Sequence, residues 1–229
     1  MKILHRTKKK RKTKNKAFHF LTIFEAGVEH PLFCTLNISK KNHIMDDTLY
    51  KILQFADIAH GEQKRKYSDE RYIVHPIRVM ETCSAYTNKI QILAAALLHD
   101  VLEDTPVTEE ELFSFLETVM DNEVAKQTLE LVVKLTDVYI KEAYPHLNRK
   151  QRKEKETLRI AQTSADSQTI KYADILDNCK EIAASDPNFA PRFLNECMTI
   201  LKVATKGDKH LYEKVYKEVE TELQNLRKR

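Results

Sequence analysis

The stretch AAALLHDVLEDT, at residues 94–105, constrains the fold more than any other part of this chain. It opens with five small or apolar residues and contains neither Gly nor Pro, which predicts a helix buried on most of its sides. Polar side chains then follow within six residues: His99, Asp100, Glu103 and Asp104. At 3.6 residues per turn, His99 lies above Glu103. Asp100 lies likewise above Asp104, so the four side chains line two adjacent strips of the helix.

Three carboxylates beside an imidazole in apolar surroundings would repel one another and lose their hydration at a large free-energy cost. A divalent metal ion removes that conflict, because imidazole and carboxylate groups are its usual ligands and its charge neutralises theirs. A simpler interpretation is that the acidic residues form a solvated helix end and that His99 is a hydrogen-bonded core histidine. The rest of the chain has to distinguish between the two interpretations.

The composition favours helices throughout. The 229 residues include only 3 Gly and 6 Pro, whereas Leu, Ala, Lys and Glu are abundant. Apolar residues recur at three- and four-residue spacing from residue 46 onward, as in amphipathic helices. We therefore expect an all-α fold, a single compact bundle of about eight to ten helices. Three predicted helices should converge on the polar cluster: residues 76–86, 89–102 and 167–181.

The positive charge is confined to the start of the chain. The net charge is +4, and the first 16 residues contain nine Lys or Arg and no acid. We therefore expect no nucleic-acid binding by the folded domain, which is slightly acidic. Residues 1–44 fit either a basic arm for nucleic acid or anionic membrane, or a non-native extension with translation starting at Met45. We prefer the second interpretation and expect a poorly ordered extension before a domain at residues 45–229.

The cysteines and the lengths of the apolar runs indicate in which cellular compartment the protein is expected. Four cysteines are scattered without CxxC spacing: Cys34, Cys83, Cys179 and Cys197. This pattern argues against a zinc ribbon or a disulfide framework and favours reduced thiols in a cytoplasm. No apolar run approaches the ~20 residues needed to span a bilayer, and the start lacks a convincing cleavage site for a secretory signal. We expect a cytoplasmic protein without a membrane partner.

Two further candidate ligands lie far from the opening stretch. They are His75, which precedes Pro76, and Asp174, within the helical segment KYADILDN. With His99 and Asp100 they make a set of two imidazoles and two carboxylates, which suits a divalent metal with positions left for water. The order His, His-Asp and distant Asp resembles the HD superfamily of metal-dependent phosphohydrolases. HGEQKRK with YIVHP, AAALLHDVLEDT and KYADILDN together resemble the alarmone hydrolase domain of the RelA/SpoT family, and in particular its stand-alone small hydrolases.

The resemblance covers about residues 48–226 and implies hydrolysis of the 3′-pyrophosphate of guanosine tetra- and pentaphosphate to GDP or GTP and pyrophosphate. It implies metal ligands, usually for manganese, at His75, His99, Asp100 and Asp174. It implies that Glu103 and Asp104 are the acidic pair that orients or activates the attacking water. It implies contacts with the nucleotide at Arg65, Lys66 and Asn178. The chain lacks room and motif for the family's synthetase domain, so we expect hydrolysis alone.

The sequence departs from the family pattern at two positions. Arg71 stands where the family commonly has Pro, and Tyr172 where Leu is usual. Neither change removes a chemical group, so we expect effects on loop shape and packing rather than on catalysis. Without the matching block around them, Arg65 and Lys66 would be interpreted as a solvated charged loop.

Two other functions stay open. An HD phosphohydrolase acting on another nucleotide, such as a deoxynucleotide or a cyclic dinucleotide, would share the metal site and differ in its pocket. A non-catalytic nucleotide-binding module with the same fold would be expected to lose a ligand or the acidic pair, and neither is lost here.

Overall fold

Helices make up almost all of the regular structure in residues 46–228, the part of the chain that the computed structural model describes. Nine longer helices and one single turn follow one another: α1 Asp47–His60, α2 Val74–Ser84, α3 Ile90–Leu98, α4 Val101–Asp104, α5 Glu109–Val119, α6 Asn122–Leu135, α7 Arg149–Ala161, α8 Ala165–Ser185, α9 Ala190–Leu201 and α10 Lys209–Arg227. Within residues 46–228 the β-type pairing consists of one isolated antiparallel bridge, between Lys64 and Arg71. The all-α prediction is confirmed. The predicted extension at residues 1–44 lies outside the described residues.

Short polar side chains start several helices. Asp46 Oδ1 accepts a hydrogen bond from Thr48 N at 2.8 Å where α1 begins. Before α5, Thr108 Oγ1 accepts from Glu111 N while Glu111 Oε2 accepts from Thr108 N, which is a reciprocal capping box. Gly61, with φ 56°, ends α1 in the left-handed region that favours glycine. Each cap satisfies backbone groups that a helix end leaves unpaired and contributes about 1 kcal/mol.

α3 lies at the centre of the bundle. Its residues from Ile92 to Leu98 are all buried, and the three alanines at residues 94–96 have no exposed surface. α3 packs against α1, α2, α6 and α8, and the small alanine side chains allow close approach of neighbouring helices. The prediction that this run is buried on most sides is confirmed. Its burial makes α3 a firm support for the polar residues that follow.

The predicted helix at residues 89–102 is wrong in one respect, because it is interrupted at His99 and Asp100. α3 ends one residue before this pair and α4 begins one residue after it. In a regular helix the side chains of adjacent residues point about 100° apart. At the interruption, His99 Nε2 and Asp100 Oδ2 lie 3.0 Å apart. The expected spacing of the acidic residues survives, since Asp104 N donates to Asp100 O at 2.8 Å.

The loop between α1 and α2 is tied down at both of its ends. Arg71 Nη1 donates to Asp57 Oδ2 at 3.0 Å, which fastens the loop to α1. Across the loop, Tyr72 N donates to Gln63 O at 2.8 Å. The loop is therefore a short hairpin in which Gln63 and Tyr72 are neighbours and which Arg71 fastens to α1.

Tyr172 fills the space between α8 and the turn before α10. Its side chain is fully buried, and its hydroxyl donates to Ala204 O at 2.5 Å. The same hydroxyl accepts a hydrogen bond from Gly207 N at 3.3 Å. A leucine could make neither bond. Tyr172 therefore adds two hydrogen bonds that hold the turn before α10 against α8.

Replacing Gly207 by Ala should destabilise the fold. An added Cβ would overlap the ring of Tyr172 and lie 2.8 Å from Thr169 N. Because a backbone nitrogen in a helix cannot move aside cheaply, the overpacking should cost about 1–3 kcal/mol. Thermal unfolding followed by circular dichroism should show a melting temperature lower by about 2–4 °C for each kcal/mol. Lys202→Ala, at an exposed position before the same turn, is the control, and an unchanged melting temperature in Gly207→Ala would contradict the packing argument.

Candidate metal centre

His75 lies in the first turn of α2, which begins at Val74 rather than at the predicted Pro76. Its side chain is 1% exposed. His75 Nδ1 lies 2.6 Å from Asp177 Oδ2, and because a carboxylate only accepts hydrogen bonds, Nδ1 carries the proton. Arg78 holds the same carboxylate, with Nε donating to Asp177 Oδ1 at 2.7 Å. In the neutral ring the lone pair is therefore on Nε2, as a metal ligand requires.

His99 presents its Nε2 in the same way. Its Nδ1 donates to Ala96 O at 2.8 Å, so the neutral ring has its lone pair on Nε2. This Nε2 is buried and has no hydrogen bond of acceptable geometry among the described residues, although Asp100 Oδ2 lies only 3.0 Å away. An unsatisfied buried polar atom costs about 1–3 kcal/mol. A cation bound to Nε2 would satisfy it.

Four side chains from three parts of the chain converge here. His75 Nε2 lies 3.6 Å from Asp100 Oδ2 and 3.3 Å from Asp174 Oδ1. His99 Nε2 lies 3.0 Å and 3.9 Å from the same two oxygens. Ligand atoms about 2.1 Å from one ion are themselves about 3.0–3.4 Å apart. His75, His99 and Asp174 form a group that could hold a metal ion, and Asp100 borders both imidazoles.

Further side chains hold the two carboxylates in place. Tyr72 Oη donates to Asp100 Oδ2 at 2.6 Å. Lys171 Nζ donates to Asp174 Oδ2 at 2.7 Å, while Asn178 Nδ2 donates to Asp174 Oδ1 at 2.5 Å. Hydrogen bonds of this kind orient ligand atoms before an ion binds and so raise its affinity.

The charges of the cluster act strongly on one another. Burial alone would lower the pKa of His99, but the carboxylates of Asp100 and Asp174 outweigh it and raise this pKa to about 9. Burial alone would raise the pKa of Asp100, but His99 and His75 hold it well below its ordinary value. In the same way Lys171 and His75 hold the pKa of Asp174 low against burial. Both acids are ionised at neutral pH, which is the form that binds divalent ions. An ion that takes the lone pair of His99 Nε2 would displace the proton that the raised pKa of this ring favours.

The acidic pair Glu103 and Asp104 lies on α4, at the solvent-exposed edge of the cluster. Glu103 Oε2 accepts a hydrogen bond from Asp137 N at 3.1 Å, and Asp104 Oδ2 accepts from Gln63 Nε2 at 3.1 Å. The protein surrounding the Glu103 carboxyl, together with the negative charges of Asp137 and Asp100, raises its pKa to about 7. A carboxyl group with such a pKa can both take and return a proton near neutral pH.

Arg65 and Asn178, two of the residues predicted to contact the nucleotide, lie next to each other beside Asp174. Arg65 is buried rather than solvated, and it forms an ion pair with Glu181 on α8. Arg65 Nη2 also donates to Asn178 Oδ1 at 3.0 Å. Because the amide of Asn178 donates in turn to Asp174, Asn178 links Arg65 to the four converging side chains.

Lys66, the third of these residues, lies on the exposed side of the loop. Its side chain is 71% exposed. Lys66 Nζ donates to Tyr67 Oη at 2.7 Å and lies 5.3 Å from the ring centroid of Phe189. Its contacts within residues 46–228 are with this aromatic pair and Asp186, and not with the ligand atoms.

Sequence reasoning missed several residues that support the site, among them Tyr72, Lys171 and Asp177. A signal was available for two of them, since Lys171 and Asp177 each lie three residues from Asp174 on α8 and so share its face. Tyr72 lies in the loop before α2, where helical spacing gives no guidance. Only the folded loop places its hydroxyl against Asp100.

The HD domain family matches residues 72–179, a span that contains all four converging side chains. The guanosine-3′,5′-bis(diphosphate) 3′-pyrophosphohydrolase MESH1 of Drosophila melanogaster is 33% identical over 138 residues, which are 59% of this chain and 69% of the fly protein. The chain belongs to the HD pyrophosphohydrolase family. The resemblance seen in the sequence motifs is thereby confirmed.

Other relatives in the HD pyrophosphohydrolase family are much longer. The Borreliella burgdorferi guanosine-3′,5′-bis(diphosphate) 3′-pyrophosphohydrolase is 29% identical over 205 residues, which are 81% of this chain and 28% of that protein. A probable enzyme of the same name from Mycoplasma pneumoniae is 33% identical over 138 residues, which are 58% of this chain and 18% of that protein. The chain spans less than a third of the length of these two relatives.

The HD fold is also found in a solved structure, that of a metazoan ortholog of SpoT that hydrolyses ppGpp. The two structures share a TM-score of 0.59 and 23% sequence identity over 80% of this chain and 96% of that chain. This likeness confirms the predicted helical HD bundle. None of the helices between residues 46 and 228 is both long and apolar enough to cross a bilayer.

Proposed function

We propose that this chain hydrolyses the 3′-pyrophosphate of guanosine tetraphosphate and pentaphosphate, releasing pyrophosphate with GDP or GTP. The observation that carries the proposal is the convergence of two imidazoles and two carboxylates beside an acidic pair, in a member of the HD pyrophosphohydrolase family. Relatives from Drosophila melanogaster and Borreliella burgdorferi are named for this reaction. Residues 45–229 form the proposed hydrolase domain.

The proposed ligands of one divalent ion are His75, His99, Asp100 and Asp174. The unpartnered His99 Nε2 and the ionised carboxylates fit such an ion. We propose manganese because the resemblance to the alarmone hydrolases implies this ion, and a mixed set of imidazole nitrogen and carboxylate oxygen is compatible with a divalent metal. A bound ion supplies positive charge that polarises a phosphoryl oxygen and makes water more acidic.

The reaction needs two proton movements. It joins a water oxygen to the phosphorus attached to the ribose 3′-oxygen and breaks the bond between that phosphorus and the 3′-oxygen. One proton must therefore leave the water, and one must reach the departing 3′-oxygen. In this proposal Glu103, whose pKa is raised to about 7, takes the proton from the water and returns it to the 3′-oxygen. Asp104, held by Gln63, orients the water.

The substrate carries dense negative charge, which the basic loop before α2 offsets. Lys66 is solvent-exposed and can approach a phosphate as a point charge. Arg65 is already paired with Glu181, and its proposed contribution is to fix Asn178 beside Asp174. In this proposal Asn178 and Lys66 contact the nucleotide. Arg65 does not contact it but fixes the position of Asn178 through a hydrogen bond.

Purified protein with manganese should convert guanosine tetraphosphate to GDP and pyrophosphate. The assay should include a panel of alarmones, deoxynucleotides and cyclic dinucleotides, with products identified by anion-exchange chromatography and mass spectrometry. Chelation should stop hydrolysis, and manganese should restore it better than magnesium or zinc. Cleavage of another nucleotide in place of the alarmones would replace this function with a general HD phosphohydrolase. Binding of nucleotide without cleavage of any would favour a non-catalytic module.

We also propose a cytoplasmic location, on the basis of the thiols. Cys83, Cys179 and Cys197 are buried as free cysteines. Burial raises the pKa of Cys83 and of Cys179 to about 12, so these thiols stay protonated and inert. Buried free thiols without a disulfide framework are typical of proteins kept in a reducing compartment.

A further inference from the structure

His60 is a buried histidine beside the site that has no part in the reaction proposed above. It is the last residue of α1 and is 7% exposed. Its Nε2 is buried without a hydrogen-bond partner in the part of the chain that the structure describes. Burial lowers its pKa below the ordinary value of a histidine, so the ring is neutral at pH 7.

Hydrogen bonds of Gln63 decide which nitrogen of His60 carries the proton. Gln63 Nε2 donates to Asp104 Oδ2 at 3.1 Å, and a carboxylate can only accept. The other end of the amide, Oε1, therefore faces His60 Nδ1, at 2.9 Å. Since an amide oxygen also only accepts, His60 Nδ1 is the donor. The hydrogen bonds run in one direction, from His60 through Gln63 to Asp104.

A second contact connects His60 with Tyr72. The two rings lie with centroids 4.6 Å apart and planes inclined at 31°. Burial and the charge of Asp100 raise the pKa of Tyr72, so its hydroxyl stays protonated and donates to Asp100 Oδ2 at 2.6 Å. Tyr72 and Gln63 are also joined to each other across the loop, by Tyr72 N to Gln63 O at 2.8 Å. The imidazole of His60 thus contacts both Gln63 and Tyr72. Gln63 donates a hydrogen bond to Asp104, and Tyr72 donates one to Asp100.

We propose that His60 is a positioning residue of the active site, which fixes Asp104 through Gln63 and Asp100 through Tyr72. The inference rests on the proposed function for the roles of the two carboxylates. Without the imidazole, the amide of Gln63 would lose its anchor and Asp104 would be free to rotate. Misplacement of a reacting group by about 1 Å can reduce a rate by about 10²-fold, so the effect should appear in kcat.

A purely structural role for His60 makes a different prediction. The residue ends α1 in a buried position, so its loss could lower stability through packing alone. In that case the folded protein would keep its kcat, and a variant that restores only the hydrogen bond would have no advantage. The two roles are therefore separable by variants that keep either the ring or the donor.

Three substitutions test the proposal in the full chain. His60→Phe keeps the ring against Tyr72 and removes the donor, and His60→Asn keeps a donor near the place of Nδ1. Gln63→Met keeps the length of the side chain and removes both hydrogen bonds. In His60→Phe and Gln63→Met, kcat should fall about 10- to 100-fold with little change in KM. His60→Asn should recover part of that loss, and Glu62→Gln, an exposed neighbour in the same turn, should match the parent.

Two measurements work without a substrate. Nitrogen-15 chemical shifts of His60 should report a neutral ring with the proton on Nδ1, and this signal should change in Gln63→Met. Manganese affinity from calorimetry should stay close to the parent value in Gln63→Met, because none of the four proposed ligands is altered. A proton on Nε2 of the parent His60 would overturn the proposal.

The outcomes also separate this proposal from the proposed function. If the parent ignores guanosine alarmones, that function fails, and kcat is compared on whichever nucleotide the parent cleaves. If the parent cleaves no nucleotide, the nitrogen-15 chemical shifts of His60 test the proposed hydrogen bond to Gln63 without any substrate. If His60→Phe does not fold, Gln63→Met decides, since Gln63 is only half-buried. Parent kcat in folded Gln63→Met would refute the positioning role.

Discussion

Replacing Asp174 by Asn should abolish metal binding and nucleotide hydrolysis together. Asp174 Oδ1 lies 3.3 Å from His75 Nε2 and 3.9 Å from His99 Nε2, so its charge is central to the cluster. An amide is a neutral and weaker ligand, and the substitution also leaves Lys171 without its carboxylate partner. Loss of a group that only orients a ligand costs about 10- to 100-fold in affinity. Loss of the proposed ligand itself should exceed that.

Calorimetric titration with manganese and thermal unfolding measure this effect. At an ion concentration of a hundred times Kd, binding should stabilise the parent by about 2.7 kcal/mol, and this gain should vanish in Asp174→Asn. Asp166→Asn is the matched control, because it removes a carboxylate from the first turn of the same helix, where Asp166 contacts Lys89. A variant at Asp174 that bound manganese like the parent would remove this residue from the ligand set.

The double substitution Glu103→Gln with Asp104→Asn should separate the chemistry from binding. Both amides keep the shape of the side chains and can accept a hydrogen bond, but neither can take a proton from water at neutral pH. The four proposed ligands are untouched, so manganese affinity and KM should stay close to the parent values. Loss of acid–base assistance typically reduces kcat by about 10²- to 10⁴-fold, and we expect a reduction in that range.

Steady-state kinetics and manganese titration of the same preparation distinguish the outcomes. Glu109→Gln with Glu110→Gln is a suitable control, since it removes two neighbouring acidic charges from the start of α5 and leaves α4 unchanged. The control should hydrolyse at the parent rate. Parent kcat in the double variant of α4 would mean that the acidic pair has no catalytic role. Loss of manganese from that variant would make the pair part of the ligand set instead.

Local signals in the sequence were enough to predict the bundle, and together with the resemblance to the alarmone hydrolases they suggested the four proposed ligands. The apolar run before His99 predicts a buried helix, and the capping residues mark where helices begin. The interruption of the helix at His99 and Asp100 had no such signal, because neither Gly nor Pro stands nearby. The hydrogen bonds at this point are tertiary or local to the turn: His99 Nδ1 donates to Ala96 O, and Tyr72 donates to Asp100. Side-chain contacts of that kind do not follow from helix propensity.

Contacts between side chains that lie far apart in the sequence could not be predicted from local patterns. Arg65 stands in a charged loop, where a solvated or phosphate-facing side chain is the natural expectation. In the fold it is buried against Glu181, a residue of α8 that no local pattern connects with the loop. The pair formed by His75 and Asp177 joins α2 to α8 in the same way. Helical spacing indicates which residues share a face, but it does not tell which faces meet.

The ligand cluster draws its side chains from α2, from the junction of α3 and α4, and from α8, which are widely separated along the chain. An ion held there would act as a removable cross-link, comparable to a disulfide that closes long loops. Because the unfolded chain has no preformed site, the free energy of ion binding would add to the stability of the folded bundle. Resistance of the folded protein to proteolysis would then increase with the concentration of the ion.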